Sequence, residues 1–203
     1  MRLPSQEVVA DLKRQYPKQP GQIFAVCIGR LEKQKGHRYL ISAVARLPET
    51  YRKRLLIFFA GDGSLEAELK KQISRERIDP CFVFLGYTRQ IPEFLSLCDF
   101  MILPSLWEGL PLSILEAYSL SRPVIATDIP GTRESLKDKV EGSLVAPTDE
   151  KALAEAIRHW MDAPEEIVKM GKAAYQRWRQ EFSFEKMVED YHWFYEKVLK
   201  GKI

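Results

Sequence analysis

No apolar run in the 203-residue chain approaches the ~18 residues that a membrane span requires, and the opening MRLPSQEVVADLKRQYPKQPGQ lacks the apolar centre of a signal peptide. Neither a spanning segment nor export is expected. Cysteine is scarce: Cys27, Cys81 and Cys98 are odd in number and far apart, which argues against a paired disulfide framework and a zinc site and suits a reducing cytoplasm. Charge of one sign is also lacking. Lys and Arg total 31 against 28 acids, the net charge is +3, and the two signs are interspersed, so nucleic acid is not an expected partner. His37, His159 and His192 have no metal-ligand spacing, and there is no Asp-x-Asp for a diphosphate-bound divalent ion, so neither a metal nor a cofactor is expected. The absence of GxGxxG and of GxxxxGK[ST] disfavours a dinucleotide dehydrogenase and a P-loop NTPase.

What is present is an ordinary globular composition, 45% hydrophobic and 29% charged, of a size for one domain. Short β-rich runs recur at Ile23 to Ile28, Leu55 to Ala60, Phe82 to Leu85, Phe100 to Leu103, Pro123 to Ala126 and Ser143 to Val145. Their apolar residues occupy both parities, the mark of strands covered on both faces, and helical patterns such as YLISAVARL and LSILEAYSL lie between them. That alternation predicts an α/β fold, a doubly wound parallel sheet. After Pro147 the spacing is helical to the end, with Thr148, Pro164 and Ser183 as helix-start signals. Met187, Tyr191, Phe194 and Val198 form an apolar stripe that either docks a second domain or packs on its own. The expected organisation is a linker, interdomain segment or short helix over 1–22, punctuated by Pro4, Pro17 and Pro20, the main domain over 23–182, and a C-terminal helix over 183–203.

In an open parallel sheet the ligand lies beyond the carboxyl ends of the strands, which directs attention to the loops that follow them. The first is GRLEKQKG, Gly29 to Gly36, where Arg30, Lys33 and Lys35 suit a phosphate, although solvated turn cations are common. GDGS, with Gly61 and Gly63, leads into a helix whose N-terminus would meet an anion, or is a plain turn capped by Asp62. In PSLWEGLPLSILEAYSL, Glu108 precedes amides of Gly109, Leu110, Leu112 and Ser113 that run into a helix start, an anion-binding arrangement. Glu116 stands alone among apolar neighbours and needs ligand hydroxyls or a structural arginine such as Arg30 or Arg122. TDIPGTRESL reads as a further lining loop or a surface turn.

Taken in order, GRLEKQKG, AGDGS, FLGY, PSLWEGLPLSILEAYSLSRPVIATD with its E-x7-E pair, and EGSLVAPTDEKALAEAI make the chain, from about Ile23 onward, resemble the C-terminal, donor-binding domain of the retaining GT-B glycosyltransferases of family 4. The resemblance implies a Rossmann-like half of a GT-B fold and a nucleoside diphosphate sugar as ligand. It puts Arg30 and Lys35 on the donor diphosphate and Glu108 against the sugar, as the catalytic group. Gly29, Gly61, Gly63, Gly109, Leu110, Pro111 and Leu112 then line the donor, Leu85, Gly86 and Tyr87 flank its base, and Glu116 holds the ribose hydroxyls. Pro130 departs from the family, which often has glycine there, and removes an N–H.

The implied reaction moves a sugar, from UDP more readily than from GDP, to an acceptor hydroxyl with retained configuration, in glycan or polysaccharide biosynthesis. Full members carry an N-terminal acceptor-binding domain, so this chain is expected to be either an excised piece or the partner of a separate chain. It is expected to be inactive alone and cytoplasmic, with peripheral association at the cytoplasmic face of a membrane open to the complete enzyme. The rival readings are a non-catalytic nucleotide-sugar-binding subunit or sensor and one half of a sugar-nucleotide epimerase.

Overall fold

The computed structural model describes residues 3–200. Six strands, β1 (Ile23–Ile28), β2 (Leu55–Ala60), β3 (Phe82–Gly86), β4 (Phe100–Leu103), β5 (Val124–Thr127) and β6 (Gly142–Val145), form one sheet in the order β3-β2-β1-β4-β5-β6. Every neighbouring pair is parallel. The double parity of the apolar runs follows from this: Ala25, Cys27, Ile57 and Phe59 enter one core, while Phe24, Val26 and Phe58 enter the other.

Helices cover both faces. α2 (His37–Arg46), α4 (Glu66–Glu76) and α8 (Glu150–Asp162) supply Leu40, Ile41, Leu69, Ile73, Ile157 and Trp160 to the first core. α1 (Gln6–Gln15), α5 (Ile91–Leu97) and α6 (Leu112–Ser119) supply Leu12, Phe94, Ile114 and Tyr118 to the second. α9 (Pro164–Arg177) belongs to both, with Ile167 and Met170 in one and Ala174 in the other. The architecture is therefore the Rossmann-like doubly wound α/β sheet, followed by a helical tail.

Over the first residues the short-helix alternative holds, and other elements differ from the sequence pattern. The proline-punctuated start carries α1, capped by the Ser5 side chain and packed on α5, where Ser5 N donates to Glu93 Oε1 at 2.9 Å. α7 (Pro130–Ser135) is a short helix in a stretch that reads as a lining loop or surface turn, and a further short helix, α3 (Glu49–Arg52), precedes β2. The helical run after Pro164 is broken by a π-turn at Trp178–Phe182 before α10 (Phe184–Leu199). No α10 residue is buried, and Met187, Tyr191, Phe194 and Val198 are exposed. The reading in which that stripe packs on its own domain is thereby corrected, since the π-turn precedes a helix that leaves its apolar arc uncovered.

β1 leads outward through β2 to β3, whereas β4 leads the other way through β5 to β6. The order reverses between β1 and β4, and a crevice at their carboxyl ends is the place this topology offers a ligand.

Candidate functional site

The loops after β1 and β4 meet at that crevice. Gly36, φ 66°, closes the 3₁₀ turn Lys33–Lys35, and a Cβ at this position would stand 2.0 Å from Pro104 O, so only glycine lets the first loop press on the end of β4. Gln34 ties them together: its carbonyl accepts Leu106 N at 2.7 Å, and its side chain donates to Trp107 O at 2.9 Å. Lys35 Nζ then lies 2.6 Å from Glu108 Oε1, and Ser105 Oγ donates to the same oxygen at 2.7 Å. The Glu108 side chain is 8% exposed, and its Oε2 has no partner among the described residues. Two residues assigned separately to phosphate and sugar are thus a single ion pair before any ligand arrives.

α6 begins at Leu112 with Pro111 as its N-cap and no side-chain cap. Among the described residues, the amides of Gly109, Leu110, Leu112 and Ser113 donate to nothing, so a group of unpaired N–H donors gathers at a helix N-terminus in the loop that follows β4. Gly131 of α7 backs onto this loop; a Cβ there would fall 1.9 Å from Gly109 O. Pro130 occupies the first turn of α7, where its missing N–H would have no intrahelical acceptor, so the departure from glycine leaves the fold intact.

Glu116, on α6, is half-buried, and burial pushes its carboxyl above the ordinary range. The structural-arginine alternative fails. Arg122 donates instead to Leu95 O and Ser96 O, each at 2.9 Å, and Arg30 is exposed and forms no ion pair among the described residues. No described residue donates a hydrogen bond to the Glu116 carboxyl or pairs with it.

The remaining residues line the ends of the outer strands. Gly29 N donates to Ala60 O at 3.0 Å and Gly61 N to Gly86 O at 2.9 Å, so Gly29, Gly61 and Gly86 run across β1, β2 and β3. Leu85, Gly86 and Tyr87 close the row at the sheet edge, with Tyr87 71% exposed. Gly63 precedes Ser64, and here the sequence misleads: α4 starts at Glu66 without Asp62 as its cap. Glu32 takes Ser64 N and Oγ at 2.9 Å each, bonds that hold its carboxyl below the ordinary range.

Two features escaped the sequence. Ser105, Thr127 and Thr132, all buried, link their hydroxyls and carbonyls between β4, β5 and α7. His37, first residue of α2, is buried edge-on to Phe59 with no hydrogen-bond partner for either ring nitrogen; burial first, then Lys35, pushes it down to about 4. Neither signal is local in sequence, since each depends on what packs around the residue.

The model of the family Glycosyl transferases group 1 matches residues 8–177. Among curated proteins, the alpha-D-kanosaminyltransferase of Streptomyces kanamyceticus is 30% identical over 167 residues, covering 81% of this chain and 43% of the relative. The lipopolysaccharide core biosynthesis mannosyltransferase LpsB of Rhizobium meliloti is 27% identical over 187 residues, 89% of this chain and 53% of that protein. This chain thus spans about half the length of such relatives. Among solved structures, Anabaena HepE in complex with UDP superposes with a TM-score of 0.85 over 95% of this chain and 53% of that one, at 23% identity, a likeness of fold.

Proposed function

The chain belongs to the group 1 glycosyl transferases, and from that premise we propose that it is the donor-binding half of a retaining, family 4 enzyme that moves a sugar from a nucleoside diphosphate, UDP before GDP, to an acceptor hydroxyl in glycan or polysaccharide building. The observation that carries this is Glu116: a half-buried carboxyl with no cationic partner among the described residues, on the helix whose free N-terminal amides adjoin Lys35 and Glu108. A ribose supplies hydroxyls to such a carboxylate, and the attached diphosphate supplies anions to the amides and cations.

As the anomeric C–O bond breaks, negative charge gathers on the departing diphosphate. Arg30, Lys35 and the amides of Gly109, Leu110, Leu112 and Ser113 stabilise that charge where it develops, which lowers the barrier without a metal. Glu108 lies against the sugar, its Oε2 open to a sugar hydroxyl. Leu85 to Tyr87 flank the base, with glycines at 29, 61 and 63 and the segment Leu110–Leu112 lining the rest.

An acceptor-binding domain or partner chain completes the enzyme, and the 203-residue chain alone transfers nothing. The uncovered arc of α10 supports this: Phe184, Met187, Tyr191, Phe194, Tyr195 and Val198 are all exposed, and a groove of about 560 Å³ runs beside Met187 and Phe194. Three buried free cysteines support a cytoplasmic setting. Calorimetry with UDP and GDP, with and without EDTA, tests the reading. Metal-independent binding of one nucleotide supports it; no binding, or binding abolished by EDTA, contradicts it. Binding without sugar transfer once an acceptor domain is supplied would favour a non-catalytic sensor.

A further inference from the structure

We propose that Ser105 is a positioning residue that fixes the Glu108 carboxylate so that Oε1 is held by the protein and Oε2 is offered to a hydroxyl of the donor sugar; this rests on the donor-site reading above. Ser105 follows Pro104 at the end of β4 and is 0% exposed. Its hydroxyl donates to Glu108 Oε1 at 2.7 Å, beside Lys35 Nζ at 2.6 Å on the same oxygen.

The choice of acceptor is informative. A dry hydroxyl needs an acceptor, and a main-chain carbonyl suffices. Ser135 and Ser183, also buried, each donate to one, Gly131 O and Arg179 O. Ser105 donates to a carboxylate instead, a stronger and more directional bond. The terminal torsion of a glutamate has a broad, roughly two-fold preference, and lysine is a point charge on a flexible stem that orients a carboxylate poorly. A second donor on Oε1, from a rigid short side chain, supplies the missing constraint.

Ser105 is itself held. Thr127 Oγ1, at the end of β5, donates to Ser105 O; Thr132 Oγ1, on α7, donates to Thr127 O and accepts Ile129 N at 3.2 Å. Ser105 and Thr132 are 0% exposed and Thr127 is buried, so this chain of bonds is shielded from water. The loop after β5 thereby reaches Glu108 through Ser105.

The test is calorimetric binding of UDP and UDP-glucose, or GDP and GDP-mannose if wild type prefers guanine, to wild type, Ser105→Ala, Glu108→Ala and the double variant, with thermal unfolding as the fold control. Ser105→Ala is expected to leave UDP within about twofold and to weaken UDP-glucose roughly three- to tenfold. In the Glu108→Ala background the same change should add nothing, a result that a merely structural serine would not give. Ser105→Cys, close in size but a weak donor, repeats the test should the alanine chain unfold. Equal losses for UDP and UDP-glucose, or an undiminished Ser105 effect without Glu108, overturns the proposal. Wild type that binds none of the four ligands sinks the donor-site reading instead, and the inference falls with it.

Discussion

Lys35 and Glu108, 73 residues apart in sequence, meet at 2.6 Å across the point where the strand order reverses. Their side chains are only 18% and 8% exposed, so the pair contributes to the fold as well as preparing the site. The lysine neutralises a carboxylate that is largely removed from water, and a diphosphate arriving nearby would meet a cation already held in place.

Lys35→Ala should therefore destabilise the chain, by ~1 to 3 kcal/mol, because it strands a largely buried carboxylate with Ser105 as its remaining partner. Lys35→Ala/Glu108→Ala should recover part of that loss. Urea unfolding of the four chains measures the coupling; strictly additive losses would show that the two charges do not support each other in solution.

Glu116→Gln is expected to weaken UDP or GDP by ~1.5 to 3 kcal/mol, the range for hydrogen bonds to a charged group, and to leave inorganic pyrophosphate nearly unchanged. Burial raises the Glu116 pKa, so the free carboxylate is lost earlier than usual as pH falls, and nucleotide affinity should fall with it. Competition calorimetry with both ligands separates the cases, and equal losses would remove the ribose assignment.

Much of this was legible in the chain. The inner strands announce themselves because both their faces are buried, the half-buried edge strands β3 and β6 show as short apolar runs beside them, and Glu116 stands out as a carboxylate in the apolar run LSILEAYSL. What failed to show has physical causes. α7 hides behind a Pro-Gly pair that reads as a turn, yet proline is at home in the first turn of a helix. The expected Asp62 cap is absent, since Leu65 is the N-cap of α4 with no side-chain bond, and the preceding turn is held by Glu32, a residue 32 positions from Ser64 and near it only through the fold. Likewise, the Lys35–Glu108 pair depends on Gly36 lying against Pro104, a contact that no local pattern encodes.

His37 offers a test of the packing beneath the loop. Its folded pKa of about 4 lies below the ordinary 6.5, so between those values the unfolded chain binds a proton that the folded chain refuses. Its stabilising contribution is complete above about pH 6.5 and is lost as pH falls toward 4, roughly 3 kcal/mol for a shift of this size. His37→Phe should flatten that part of the stability profile. Urea unfolding across the window measures it, and parallel profiles for the two chains would mean that His37 is not buried neutral.

The most direct measurement is a titration of the ¹⁵N-labelled 203-residue chain with UDP, and with GDP, in the presence of EDTA, following each backbone amide. One nucleotide should shift Gly109, Leu110, Leu112 and Ser113 together with Gly29 and Lys35, the residues around the crevice between β1 and β4, and Lys35→Ala should weaken that response. No shifts with either nucleotide, or shifts confined to surfaces away from these loops, would contradict the assignment of this crevice as a metal-free nucleoside diphosphate site.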